Sequence, residues 1–163
     1  MTKRRRCRFW AETDGLGAIE FAFIAPVLLT MLLGVLDFGV AFWQQMEIAN
    51  AADAGVQWGM SNPYNEGSIR SVVQAATSLS VPADNISPSN PCGCATSTGI
   101  TTGYGTPPSC TACPDASTAK PYIVVNAQIC YSTLFPSWPG LAYGGDGCSS
   151  NQISLKAQAF ILK

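Results

Sequence analysis

The chain contains no histidine. Without an imidazole there can be no Ser-His-Asp or Cys-His catalytic arrangement, and the commonest zinc ligand is missing. Charge is scarce too: Asp, Glu, Lys and Arg supply 12% of the 163 residues, about half the share usual in a soluble domain. With 47% hydrophobic residues, that shortfall points to a segment that lives in lipid. Bases are scarcest beyond residue 8, where only Arg70, Lys120, Lys156 and Lys163 remain. The other five, Lys3, Arg4, Arg5, Arg6 and Arg8, crowd the first fifteen residues beside two acids, while residues 16–163 carry eight acids. A short basic run ahead of an apolar span is a topogenic flank rather than a nucleic-acid arm, so no nucleic-acid partner is expected. The length allows one folded unit, not two with a linker.

From Phe21 to Leu36 the chain runs sixteen residues without a charge, and after Asp37 the apolar character resumes with FGVAFW. Crossing roughly 30 Å of hydrocarbon takes about 20 residues at 1.5 Å each. The span must therefore come close to Glu20, to Asp37, or to both. A hydrocarbon zone over residues 17–36 places Glu20 about 5 Å inside one edge; a zone over 21–42 places Asp37 about 8 Å inside the other. A carboxylate there costs several kcal/mol unless protonated or paired. The basic N-terminal side stays cytoplasmic, and everything after about residue 43 is exported. Ala49-Asn50-Ala51 and Ala52-Asp53-Ala54 look like signal-peptidase sites, but the apolar stretch is longer than a signal peptide's, so the chain is expected to stay anchored.

Ahead of the span stands Gly15-Leu16-Gly17-Ala18-Ile19-Glu20-Phe21, a glycine five positions before a Glu that is followed by an aromatic. This resembles the prepilin-peptidase site of tight-adherence (Tad, or Flp-type) pilus proteins. The continuation IEFAFIAPVLLTMLLGVLDFGVAFWQQMEIANAADAGVQWG resembles the TadE-like pseudopilin family in particular, over about residues 15–59. The resemblance implies cleavage between Gly15 and Leu16 by a membrane-embedded prepilin peptidase, with Glu20 as mature residue five. A small residue at position 15 suits a narrow site that must admit backbone. Cleavage would remove all five leader bases and expose the α-amine of Leu16, at i and i+4 with Glu20 on one helical face. Glu20 could then meet its own chain's amine or a neighbouring subunit's, making Leu16 and Glu20 subunit-contact residues. Such pairing specifies register even where it adds little net stability.

Within the span, Pro26 removes the hydrogen bond to the Ala22 carbonyl and should loosen the helix. Asp37 either pairs with a partner helix or lies at the exported interface beside Trp43. The helix is expected to continue to about Met60, where Ser61-Asn62-Pro63 stops it. Ala51, Gly55 and Gly59 recur every fourth residue, a smooth stripe for close packing, first within the subunit and second between subunits. A second helix is predicted from Gly67 to Leu79, with Ile69, Val72, Val73, Ala76 and Leu79 on one face and Pro82 ending it.

Two later segments alternate with period two: Ile123, Val125, Ala127, Ile129 and Tyr131, then Ile153, Leu155, Ala157, Ala159 and Ile161. Each reads as a half-buried strand with Asn126, Gln128, Lys156 and Gln158 facing outward, in an antiparallel sheet against the exported helix. The 21 residues between them hold Pro136, Pro139 and several glycines, a long surface loop. Residues 80–121, rich in Ser, Thr, Gly and Pro, bury too little to order themselves and need crosslinks or a partner. They contain Cys92, Cys94, Cys110 and Cys113, whose spacing could suit zinc held by four thiolates. An oxidising periplasm favours disulfides instead, and the six exported cysteines permit fifteen connectivities. Cys130 ends one strand and Cys148 precedes the next, so these two are expected to pair, worth about 3 kcal/mol of loop closure. Pairing among the other four stays open, and Cys7 is lost with the leader. No thioredoxin-like βαβ pattern surrounds Cys110-x-x-Cys113, so a redox enzyme is disfavoured.

The expected architecture is α+β: a basic leader (1–15), a membrane-spanning helix (16–43), and a disulfide-stapled exported domain (44–163) with a second helix and an antiparallel sheet. The expected function is that of a minor pilin or pseudopilin in a Tad pilus, with prepilin peptidase, other pilins and the inner membrane as partners. No catalytic residue, cofactor or metal is expected. The competing reading is a permanently anchored periplasmic binding or adhesion module whose Cys-rich loop holds a ligand.

Overall fold

The structure, a computed structural model, describes residues 14–96, 99–115, 117–134, 144 and 146–163. The five leader bases, Cys7, Pro136 and Pro139 lie outside the described residues. The elements are α1 (Asp14–Ser61), α2 (Glu66–Ala75), a 3-10 turn (Ala83–Asn85), β1 (Ile86–Ser89), β2 (Cys92–Thr96), β3 (Gly99–Thr102), β4 (Gly105–Thr106), β5 (Ser109–Cys110), β6 (Lys120–Ser132) and β7 (Gln152–Leu162). The chain divides into two compact units, Met1–Phe38 and Gly39–Lys163.

In the second unit the two alternating segments form the antiparallel pair β6–β7. Their register sets Ile123 against Ile161, Val125 against Ala159, Ala127 against Ala157 and Ile129 against Leu155. With a side-chain period of two, this register gathers the apolar set on one face. That face closes on Ile48, Ala51, Ala52 and Val56 of α1 and on Ile69 and Val73 of α2, forming one core. Asn126 and Gln158, opposite each other, face outward and are exposed.

The stripe of small residues on α1 serves this core. A Cβ on Gly55 would stand 2.5 Å from Val73 Cγ2, and one on Gly59 would stand 2.9 Å from Ile123 Cδ1. Both glycines let α2 and β6 approach the helix backbone, the intramolecular use of the stripe. The end of α1 is sealed from a distance. Asn62 Nδ2 donates to the Trp58 carbonyl at 2.9 Å, and Lys163 Nζ donates to the carbonyls of Gly59 at 3.2 Å and Asn62 at 2.9 Å. These cations and amides satisfy carbonyls that a helix end leaves open.

Helix α2 starts where Asn65 accepts from the Ser68 amide at 2.9 Å, an N-cap geometry. It ends at Ala75, four residues before the predicted Leu79. The reason is Glu47 of α1: its Oε1 accepts from the Ser78 amide at 2.6 Å, Ser78 Oγ at 2.7 Å and Thr77 Oγ1 at 3.0 Å. Those bonds draw the chain off the helical path, and Leu79 still packs against the core without being helical.

Residues 80–121 hold five short strands that periodicity did not reveal. Strand β1 pairs with one edge of β6, Ile86 opposite Ala127, and carries Pro88, tolerated because an edge strand needs no outward donor. Strand β2 pairs with β3 and, through Cys92 and Gly93, with the start of β6. A Cβ on Gly93 would lie 2.9 Å from Ile100 and 3.0 Å from Tyr122, and this close seat helps bury Tyr122 on the otherwise outward face of β6.

Replacing Gly55 with Leu is expected to lower the stability of the folded domain by about 3 kcal/mol, the upper end of overpacking costs. Gly39→Ala, where no heavy atom lies within 4 Å of the added carbon, should be neutral or slightly stabilising. Thermal unfolding of the detergent-solubilised full chain checks both. Equal melting temperatures for the Gly55 variant and the parent would refute the packing role.

Candidate assembly and processing segment

Helix α1 begins at Asp14, so positions 15, 16, 20 and 21 lie on its first two turns. Positions 16 and 20 share a helical face one turn apart. Glu20 is exposed, Phe21 is 66% exposed, and among the described residues no base pairs with Glu20. After Gly15 the next base along the chain is Arg70, so in residues 16–69 only the α-amine that cleavage would create could supply a positive charge.

Around and beyond Glu20 the helix is apolar on every side. Ile19, Phe23, Leu28, Leu32 and Val35 are all more than half exposed, Phe23 at 78%. An exposed apolar surface this continuous needs a lipid or protein covering. Within Gly17–Ser61 the helix is long and apolar enough to cross a membrane. Pro26 sits inside the helix, and Asp37 is buried, unlike nearly all its apolar neighbours.

The six cysteines after the span form three disulfides: Cys92–Cys110, Cys94–Cys113 and Cys130–Cys148. The last ties the end of β6 to the approach to β7. There, Gln128 Nε2 donates to the Asp146 carbonyl at 2.6 Å, and Lys156 meets Asp146 at 2.7 Å. The ion pair is half exposed, so it fastens the loop end with little net stability. The other two bonds make a separate small core in which Cys92, Cys94, Cys113 and Ala119 are buried. Because those four sulfurs are joined in pairs, they are not a set of four thiolates.

Among the described residues, three side chains titrate away from their ordinary ranges. Hydrogen bonds from the Ser78 side chain and amide, with Thr77 adding to them, hold the Glu47 carboxyl below the usual range. The Ser117 hydroxyl, then its amide, do the same for Asp115. Burial, then the nearby Glu66 carboxylate, push Tyr64 up to about 12, so it stays a neutral phenol at any physiological pH. Nothing in the periodicity marks Glu47; a lone acid just beyond an apolar span was its only sequence signal.

Comparison with known proteins finds that the TadE-like protein family matches residues 15–57. No curated protein and no solved structure matches the chain. TadE-like proteins are pilus components rather than enzymes, and the matched stretch contains the segment around Glu20 and the whole apolar part of α1.

Glu47 gives a pH test of how the turn after α2 is held. Its pKa is depressed by folding, so its contribution is fully present above the ordinary glutamate pKa and fades as pH falls through the folded value. The parent chain should lose melting temperature on acidification more steeply than Glu47→Gln, with the two curves converging at low pH. Parallel curves from pH 7 to 3 would contradict the assignment.

Proposed function

We propose that this chain, TadE-like over residues 15–57, is a minor pilin or pseudopilin of a Tad-type pilus. It is inserted once in the inner membrane, with residues 1–15 cytoplasmic and the domain after about residue 43 in the periplasm. Prepilin peptidase cuts between Gly15 and Leu16, and the mature subunit joins other pilins through its apolar helix. The observation that carries this reading is an exposed, all-round apolar helix that opens with Gly15-x4-Glu20-Phe21 inside the TadE-like match.

The physical logic runs through Glu20. A carboxylate at the lipid edge is costly, and removing the leader bases leaves no side-chain cation to offset it before Arg70. The same cut that removes those bases creates an amine one turn away, on position 16 of the same chain or of a neighbour. The bond broken thus supplies the charge that settles the acid in a helix bundle. The exported domain needs no active site for this work. Its core packs the part of α1 beyond the span against α2 and the sheet.

Mass spectrometry of the membrane-extracted protein should show a mature chain starting at Leu16, and Gly15→Leu should abolish the size shift. An intact arginine-rich N-terminus in cells with an active peptidase would instead make the chain a tethered periplasmic module. Glu20→Leu should still be cut yet be recovered in sheared pili at least about ten-fold less than the parent, since an incorporation defect of that size corresponds to only about 1.4 kcal/mol.

A further inference from the structure

The four cysteines between β1 and β6 are joined in an interleaved order, first to third and second to fourth: Cys92–Cys110 and Cys94–Cys113. Their nearest partners along the chain are different. One residue separates Cys92 from Cys94 and two separate Cys110 from Cys113, whereas the native bonds join residues 18 and 19 apart. Because the entropy of closing a loop grows with its length, cysteines close together along the chain compete with partners eighteen residues away.

Besides the short pairings of β2 with β3 and with the start of β6, and of β4 with β5, the segment offers among its described residues little apolar burial to steer the pairing. Its buried cluster is Cys92, Cys94, Cys113 and Ala119, with Tyr104 and Cys110 packed against it, so the crosslinks themselves are the core. Cys130–Cys148 is the contrast: these two are consecutive cysteines, brought together by a β6–β7 sheet with a large apolar core of its own.

We propose that the chain is a substrate of a thiol–disulfide isomerase in the compartment that receives its C-terminal domain, and that Cys92–Cys113 is the segment on which the isomerase acts. The inference rests on the exported topology proposed above. A dithiol oxidase first takes two electrons and two protons per bond and closes Cys92–Cys94 and Cys110–Cys113. No thiolate is then left in the segment to begin exchange. An isomerase thiolate attacks the Cys92 sulfur, the Cys92–Cys94 bond breaks, and Cys94 leaves as thiolate. Cys94 attacks Cys113, breaking Cys110–Cys113 and freeing the Cys110 thiolate. Cys110 attacks Cys92 in the mixed disulfide, closing the native bond and returning the isomerase thiolate. Two disulfides enter and two leave, with no net electron transfer.

Chymotryptic cleavage after Tyr104 reads the outcome without reduction. Natively paired protein keeps the Cys92/Cys94 and Cys110/Cys113 fragments linked, and neighbour-paired protein lets them separate. The full chain from isomerase-competent bacteria should give linked fragments. Isomerase-null bacteria should give mainly separate ones, a loss restored by returning the isomerase gene. Linked fragments in equal yield from both hosts would overturn the proposal. The double variant Cys94→Ser/Cys113→Ser has one possible bond in the segment and should link in both hosts; a need for the isomerase there would refute the pairing-order argument. In vitro, the reduced, detergent-solubilised full chain should give separate fragments when oxidised with ferricyanide and linked ones in a glutathione buffer; linked fragments from both would count against exchange. Wholly reduced cysteines in competent cells would instead overturn the exported topology.

Discussion

A helix that is apolar on all sides over one stretch and one-sided over the next is the constraint from which the rest of this structure follows. Between Gly17 and Leu36 almost every side chain of α1 is exposed, so that stretch must be solvated by lipid or by other helices. From Gly39 onward the burial becomes selective: Ile48, Ala51, Ala52 and Val56 are covered while Asp53 and Gln57 are not. The sheet and α2 exist to cover that one face. The small residues at 51, 55 and 59 set how close they come, because a helix without side chains at the contact brings β6 and α2 against its backbone.

The large elements were legible because each rests on a long periodic signal. The apolar run and the Ser61-Asn62-Pro63 stop defined α1 to within a residue of its end, and the two alternating segments defined β6 and β7 together with their inward faces. Helix α2 was legible at its start but overextended at its end, because the bonds from Thr77 and Ser78 go to a Glu thirty positions away. Strands β1 to β5 were invisible for a related reason. At two to five residues they are too short to show a period, and their order is imposed by pairing with β6 and by disulfides rather than by their own composition. At the N-terminus the spacing of Gly15, Glu20 and Phe21 was plain in the letters, yet its meaning came from resemblance, since a glycine and a glutamate five apart specify no chemistry by themselves.

Two cores of different kind coexist in the second unit. Aliphatic side chains from two helices and three strands build the larger one, and its strength grows with the area they withdraw from water. The smaller one is mostly sulfur, and it holds together a segment whose Ser, Thr, Gly and Pro content could not bury enough surface to stay ordered. Reduction would therefore affect the two unequally, leaving the helix and sheet packed while the segment between β1 and β6 loosens.

The seal on α1 couples distant parts of the polypeptide in time as well as in space. Lys163 Nζ holds the carbonyls of Gly59 and Asn62, about a hundred residues earlier. The ribosome makes those carbonyls long before it makes the amine that satisfies them. Until β7 is synthesised and docked, the C-terminal turn of the helix has, among the described residues, the side chains of Ser61 and Asn62 to cover it, and water must solvate the rest. Helix ends with unsealed carbonyls open more readily than sealed ones, so that turn gains its full protection only once the last strand has docked.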